Sequence, residues 1–133
     1  MKKPSSSSVV TIGVALLLGA GVLSAQQSGF TRVPLQDQDL SITGKHVVQA
    51  RAEFQPGVAS GRHTHPGEEV AYVLEGQVEV TIEGKPTITA KAGEAFFVPA
   101  GLIHEGKNVG SGVAKILGTY IVDKGKPLST PAK

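Results

Sequence analysis

The feature that most constrains this chain is how often it is interrupted. From Gly44 onward glycine and proline recur so regularly that the longest stretch free of both is Lys45–Gln55. That spacing admits short strands and turns and leaves little room for helices of ten or more residues. Within Lys45–Gln55 the pattern is alternating. Val48, Ala50, Ala52 and Phe54 share one parity, and Val47, Gln49, Arg51 and Glu53 share the other. Gln77–Glu83 alternates in the same way, with Val78, Val80 and Ile82 on one face. After the N-terminal leader no segment sustains a 3.6-residue apolar period. Period-two segments of this length, punctuated by turns, predict an all-β sandwich or barrel.

Four regions follow. Residues 1–25 have the form of a signal peptide. Lys2 and Lys3 precede an uncharged apolar run, Val9–Leu23, that is short for a membrane span, and Ser24-Ala25 offers a cleavage point. The expectation is an exported protein, periplasmic or secreted and without stable membrane association after processing, rather than one held by an uncleaved anchor. Residues 26–44 are polar and turn-rich and predict an N-terminal arm with one edge strand near Phe30–Leu35. Residues 45–123 carry the barrel, with a short buried strand at Ala95–Val98 and a long last strand, Val113–Val122, interrupted at Gly118. Residues 124–133, polar and with two prolines, are expected to fray.

Charge excludes one class of partner. The full chain has 13 basic and 11 acidic residues, and removing Lys2 and Lys3 with the leader leaves eleven of each. No basic surface remains to argue for nucleic acid. The absence of cysteine excludes a disulfide framework and any thiolate-ligated metal.

Three of the four histidines lie between Gly57 and Asn108. His63 and His65 are two apart, which on an extended chain puts both rings on one face roughly 6–7 Å apart. Imidazole and carboxylate are a ligand set for a first-row transition metal where thiolate is lacking. Pro66-Gly67 has the composition of a type II turn that can fold an acid back toward the histidines, with Glu69 and Glu68 both candidates. Pro99-Ala100-Gly101 makes a corner that delivers His104 on the next strand.

These segments resemble the two signature motifs of the cupin superfamily. Gly57, His63, His65, Glu69 and Gly76 meet every position of the first, and Gly93, Pro99, Gly101, His104 and Asn108 every position of the second. The resemblance implies a double-stranded β-helix, or jelly-roll barrel, with one metal in its mouth held by His63, His65, Glu69 and His104. It selects Glu69 over Glu68. It does not name a reaction, because the fold hosts many.

Three imidazoles and one carboxylate around a divalent ion leave a net charge near +1 and open coordination positions. Such a site suits a small chelating anion. Manganese or iron is the expected metal, with nickel, copper and zinc compatible. The function expected is a small metalloenzyme, an oxygenase or a lyase/isomerase, in which Glu69 doubles as a catalytic base. The alternative is a non-catalytic, metal-dependent binding or sensing module. Arg62, beside His63, is a candidate for steering an anion, though solvation is its commoner fate. Phe96, Phe97, Tyr72 and Tyr120 are pocket or core candidates, and His46 and Asn108 read as structural. If Glu69 faces the metal, then Val70, Tyr72 and Leu74 face outward. An apolar outer face needs a cover, either the N-terminal arm or a second copy in a homodimer.

Overall fold

The computed structural model describes residues 27–133, so the leader lies outside the described residues. Ten strands and no helix are present among them: β1 (Phe30–Asp39), β2 (Lys45–Phe54), β3 (His63–Thr64), β4 (Gly67–Glu75), β5 (Gln77–Ile82), β6 (Ile88–Lys91), β7 (Ala95–Val98), β8 (His104–Asn108), β9 (Ala114–Asp123) and β10 (Thr130–Pro131). They form two five-stranded antiparallel sheets, one in the order β1-β2-β9-β4-β7 and the other β10-β3-β8-β5-β6. This is the expected jelly-roll arrangement.

The alternation read from the sequence is the alternation of burial. Ala50, Ala52 and Phe54 of β2, Val78, Val80 and Ile82 of β5, and Ala71 and Val73 of β4 all point into the space between the sheets. With Phe30, Val98, Ala114 and Ile116 they make the main core. A second, smaller cluster of Ala50, Tyr120 and Val122, with Val48 and Leu128 against it, fills one end of the barrel.

Several local expectations are corrected. The N-terminal arm is a full strand: β1 runs to Asp39 with a register shift between Pro34 and Gln36, and pairs with β2 along its length. Residues 124–133 do not all fray. Thr130 and Pro131 pair with Thr64 and His63, and the Ala132 amide donates to the Arg62 carbonyl. β7 is half-exposed rather than buried, with only Val98 fully inside. β9 is continuous through Gly118, which lies where a Cβ would meet the folded-over Tyr120 ring.

Pro66-Gly67 is not a type II turn, since Gly67 keeps a negative φ and opens β4. Its missing side chain serves packing instead. A Cβ there would run into the backbone of Ile121 and Val122 on the neighbouring strand.

The outward parity of β4 is as expected. Val70, Tyr72 and Leu74 are 46%, 46% and 47% exposed, and Phe97 of β7, paired directly across from Val70, is 50% exposed. Tyr72 and Phe97 are therefore neither core nor pocket. β1 lies at the opposite edge of this sheet, so the N-terminal strand does not cover them.

Candidate metal centre

The two sheets each contribute one cross-strand pair to a single point. From one sheet, His63 of β3 faces His104 of β8 in direct register. From the other, Glu69 of β4 faces Tyr120 of β9. His65 stands in the crossover that carries the chain from β3 to β4. Backbone bonds fix that crossover: the Gly101 amide donates to the His65 carbonyl at 3.1 Å and the Asp123 amide to the Pro66 carbonyl at 3.1 Å. All four candidate ligands are buried.

Each imidazole is held by its far side. His63 Nδ1 donates to the Gly61 carbonyl at 2.8 Å, His65 Nδ1 to the Leu128 carbonyl at 2.6 Å, and His104 Nδ1 to the Leu102 carbonyl at 3.0 Å. A carbonyl can only accept, so every Nδ1 carries the hydrogen and every neutral ring presents a lone pair at Nε2. Backbone carbonyls are a usual partner for the outer nitrogen of a metal-ligating histidine.

The Nε2 atoms converge. The ligating atoms of His63, His65 and His104 lie within 4.8 Å of one another. His63 and His65 Nε2 are 3.2 Å apart, and Glu69 Oε2 is 3.3 Å from His65 Nε2 and 3.4 Å from His104 Nε2. Ligand atoms about 2.1 Å from a shared ion stand ~3.0–3.4 Å from each other at right to tetrahedral angles. Two lone pairs facing at such a distance repel, and a cation between them relieves the repulsion. His104 Nε2 is buried without a hydrogen bond of its own, despite its nearness to Glu69. The donor set, the separations and this orphaned nitrogen fit a transition-metal ion.

The electrostatics agree with a neutral His63 and a charged Glu69. Burial pushes the His63 imidazole down to about 3, against the pull of the Gly61 carbonyl, and the charges of His104, Arg32 and His65 add to the depression. Burial pushes the Glu69 carboxyl up, but its contacts with His104 and His65 outweigh that and hold it down at about 2. The Tyr120 hydroxyl is raised, first by burial and then by Glu69, so it stays protonated. Its ring packs on His65 at a centroid distance of 4.7 Å.

The centre opens into a small cavity of about 30 Å³. Phe30, Phe54, Phe96 and Ile116 make apolar walls, and Tyr120 and Arg32 also line it. Of the four aromatic candidates, Phe96 and Tyr120 thus reach the pocket.

Arg32 escaped the sequence reading. It comes from β1, opposite Ala52, and its Nη2 lies 2.9 Å from His63 Nε2. The only signal was that Phe30 and Arg32 share a parity in a segment read as an arm. Arg62 has the commoner fate of such a residue, solvation. It is exposed, donates to the Lys133 carbonyl at 2.8 Å and sits 4.0 Å from the Glu83 carboxylate. The Leu128 carbonyl was missed too, having no side-chain signal at all.

The other residues keep structural duties. His46 pairs with Asp37 at 2.7 Å, away from the centre. Asn108 is fully buried, donates to the Phe54 and Gly112 carbonyls, and accepts from the Gly110 amide. Glu68 is only partly buried on the opposite parity from Glu69.

A family profile for the cupin domain matches residues 50–121, just over half the chain. Germin-like protein subfamily 2 member 2 of Arabidopsis thaliana is 43% identical over 76 residues, 53% of this chain and 35% of its own length. The HTH-type transcriptional regulator PuuR of Escherichia coli (strain K12) is 34% identical over 68 residues, 50% of this chain and 36% of its own. Among solved structures, a recombinant oxalate oxidase in complex with glycolate is similar with a TM-score of 0.63 at 25% identity, over 80% of this chain and 57% of that one. The chain spans about a third of the length of the curated relatives it matches.

Proposed function

The chain belongs to the cupin family, and from that premise we propose a metal-dependent function centred on His63, His65, Glu69 and His104. One divalent transition-metal ion, manganese or iron in preference to nickel, copper or zinc, is held by three Nε2 atoms and the Glu69 carboxylate. The observation that carries this reading is the shared polarity of the histidines: each Nδ1 is tied to a backbone carbonyl, so three lone pairs converge within 4.8 Å, with the Glu69 carboxylate 3.3 and 3.4 Å from those of His65 and His104.

We read the protein as a small exported metalloenzyme, an oxygenase or a lyase/isomerase, acting on a chelating anionic small molecule. The bound ion would supply Lewis acidity and open coordination positions. The chain's own residues do the rest. The apolar pocket walls exclude water and strengthen every charge interaction inside. Glu69, an anion under ordinary conditions, is the residue positioned to take a proton once released from its histidine contacts. Tyr120, protonated and paired across from Glu69, is a candidate to return one. The solved oxalate oxidase similar to this chain was captured with glycolate, a small hydroxy acid of the class proposed.

A second reading has an observation of its own. The similarity to PuuR, a transcriptional regulator, favours a barrel that binds a ligand through its metal without turnover. Oxygen uptake or product formation across a panel of small acids distinguishes the two.

Two further proposals concern context. Export rests on Lys2-Lys3 and the uncharged Val9–Leu23 run, and intact mass of exported protein beginning near Gln26 would support it. A homodimer rests on the exposed Val70, Tyr72, Leu74 and Phe97 face.

The deciding experiment is elemental analysis. Protein from its native compartment should carry about one transition-metal ion per chain. The double variant His63→Ala/His65→Ala should carry none while keeping its β-sheet circular dichroism. Unchanged metal content in that variant would refute the assignment.

A further inference from the structure

We propose that Arg32 forms an anion subsite beside the metal centre, receiving a carboxylate of a small dianionic acid that bridges the guanidinium and the metal. The proposal deepens the metal-centre reading above and rests on it.

The argument starts from competition for one lone pair. Arg32 can only donate, so its 2.9 Å contact from Nη2 to His63 Nε2 occupies the lone pair that a metal would take. Arginine and metal cannot both hold it. When the metal has His63, Nη2 loses its acceptor.

Arg32 Nε is already buried without a partner, one of two such side-chain atoms among the described residues; the other is His104 Nε2 in the same centre. Nε and Nη2 lie on one edge of the planar guanidinium, the edge whose spacing matches the two oxygens of a carboxylate. Metal loading therefore leaves a two-pronged donor with nothing to donate to.

The side chain has no cheap way out. Its guanidinium carbon sits 5.1 Å from the Phe30 ring centroid, and Phe54, Phe96 and Ile116 wall the pocket around it. Arg32 as a whole is only partly buried, but its Nε is sealed from solvent, and an N–H so placed needs a partner. Of the nearby acceptors, Glu69 lies against His65 and His104, and the Ser60 hydroxyl donates to the Gly61 carbonyl and accepts from the Gly106 amide. The Tyr120 hydroxyl is within reach of Arg32 but offers one oxygen for two N–H groups. A ligand carboxylate matches both.

Charge defines that ligand further. A divalent ion, three neutral imidazoles, the Glu69 carboxylate and the Arg32 cation sum to two positive charges in an apolar enclosure. A dianion neutralises them. The pocket size restricts it to a few heavy atoms, as in a short dicarboxylate.

The test compares oxalate with oxamate, which replaces one carboxylate by a neutral amide, on manganese-loaded protein by calorimetry. Metal content is measured on every sample. Unaltered protein should bind oxalate at least about tenfold tighter than oxamate, since a charge-assisted bidentate contact is at stake. Arg32→Gln should retain its metal and lose that preference, and Arg32→Lys should recover part of it. An oxalate-to-oxamate ratio that Arg32→Gln leaves unchanged overturns the subsite, as does a metal-loaded wild type with no preference. Loss of metal from Arg32→Gln also overturns it, by making Arg32 a support for His63. A wild type that takes up no metal fails the metal-centre reading itself, and the subsite falls with it.

Discussion

Deleting residues 127–133 should cost more in metal affinity than in fold stability. Among the described residues, the Leu128 carbonyl is the acceptor that orients His65, at 2.6 Å from Nδ1. Removing an outer-shell partner of this kind typically weakens metal binding about 10–100-fold. The stability side is smaller. The deletion exposes the partner faces of Tyr120 and Val122 and loses the short β10–β3 ladder. Seven residues regain backbone freedom in return, so the net loss should be on the order of 1–2 kcal/mol.

Leu128→Ala separates the two effects. It keeps the carbonyl and loses the side chain, so it should lower stability by about 1 kcal/mol and leave metal affinity within about threefold of wild type. The assay is competition against a chromogenic chelator with Co(II) or Zn(II), run beside thermal melts of the same samples. If the truncated chain binds metal as tightly as the full chain, the tail does not orient His65. If Leu128→Ala loses as much affinity as the truncation, packing rather than the carbonyl holds the ring.

Three other outcomes are expected. In metal-free protein, the depressed His63 keeps it neutral when folded, while the unfolded chain takes up a proton below about pH 6.5. His63 alone should therefore lower stability by up to ~1.4 kcal/mol per pH unit between about 6.5 and 3. Glu69, held down at about 2, adds a loss in the same direction below about pH 4.5, and melting temperatures in chelator that stay flat from pH 7.5 to 4 would contradict both. Gly67→Ala places a methyl against the Ile121 backbone, which no rotamer change relieves, and should destabilise by about 2 kcal/mol, a fall on the order of 10 °C in Tm by calorimetry. Tyr72→Glu puts a charge in the exposed β4–β7 face and should move the protein toward monomer in sedimentation with its metal intact; a wild type monomeric at ~100 μM refutes the dimer.

What the sequence disclosed is what sits in local spacing. Parity alone placed Ala50, Ala52 and Phe54 inside and Val70, Tyr72 and Leu74 outside, because a strand's period of two converts order directly into facing. The same rule put His63 and His65 within reach of one ion. Gly67 shows where the rule fails: its turn composition was genuine, yet the requirement it meets is the approach of β4 to the Ile121 backbone, set by a strand more than fifty residues on. Tertiary contact overrode local turn chemistry.

The parts of the centre that stayed hidden are those contributed from outside the motif span. Arg32 arrives from β1 only because β1 pairs with β2, and its meaning depends on the 2.9 Å contact with a ring thirty-one positions later. Leu128 acts through its backbone, so no residue type could announce it. β1 is a sheet edge beside β2, and Leu128 lies two residues before β10, the edge strand beside β3. The motif thus specifies the proposed ligands, while the stretch before β10 supplies the carbonyl that sets the tautomer of His65 and β1 the charge beside His63. It follows that chains with the same ten motif residues but different edge strands can share the metal centre and differ in the anion they accept, and that the β1 side of the pocket is where such differences should be sought.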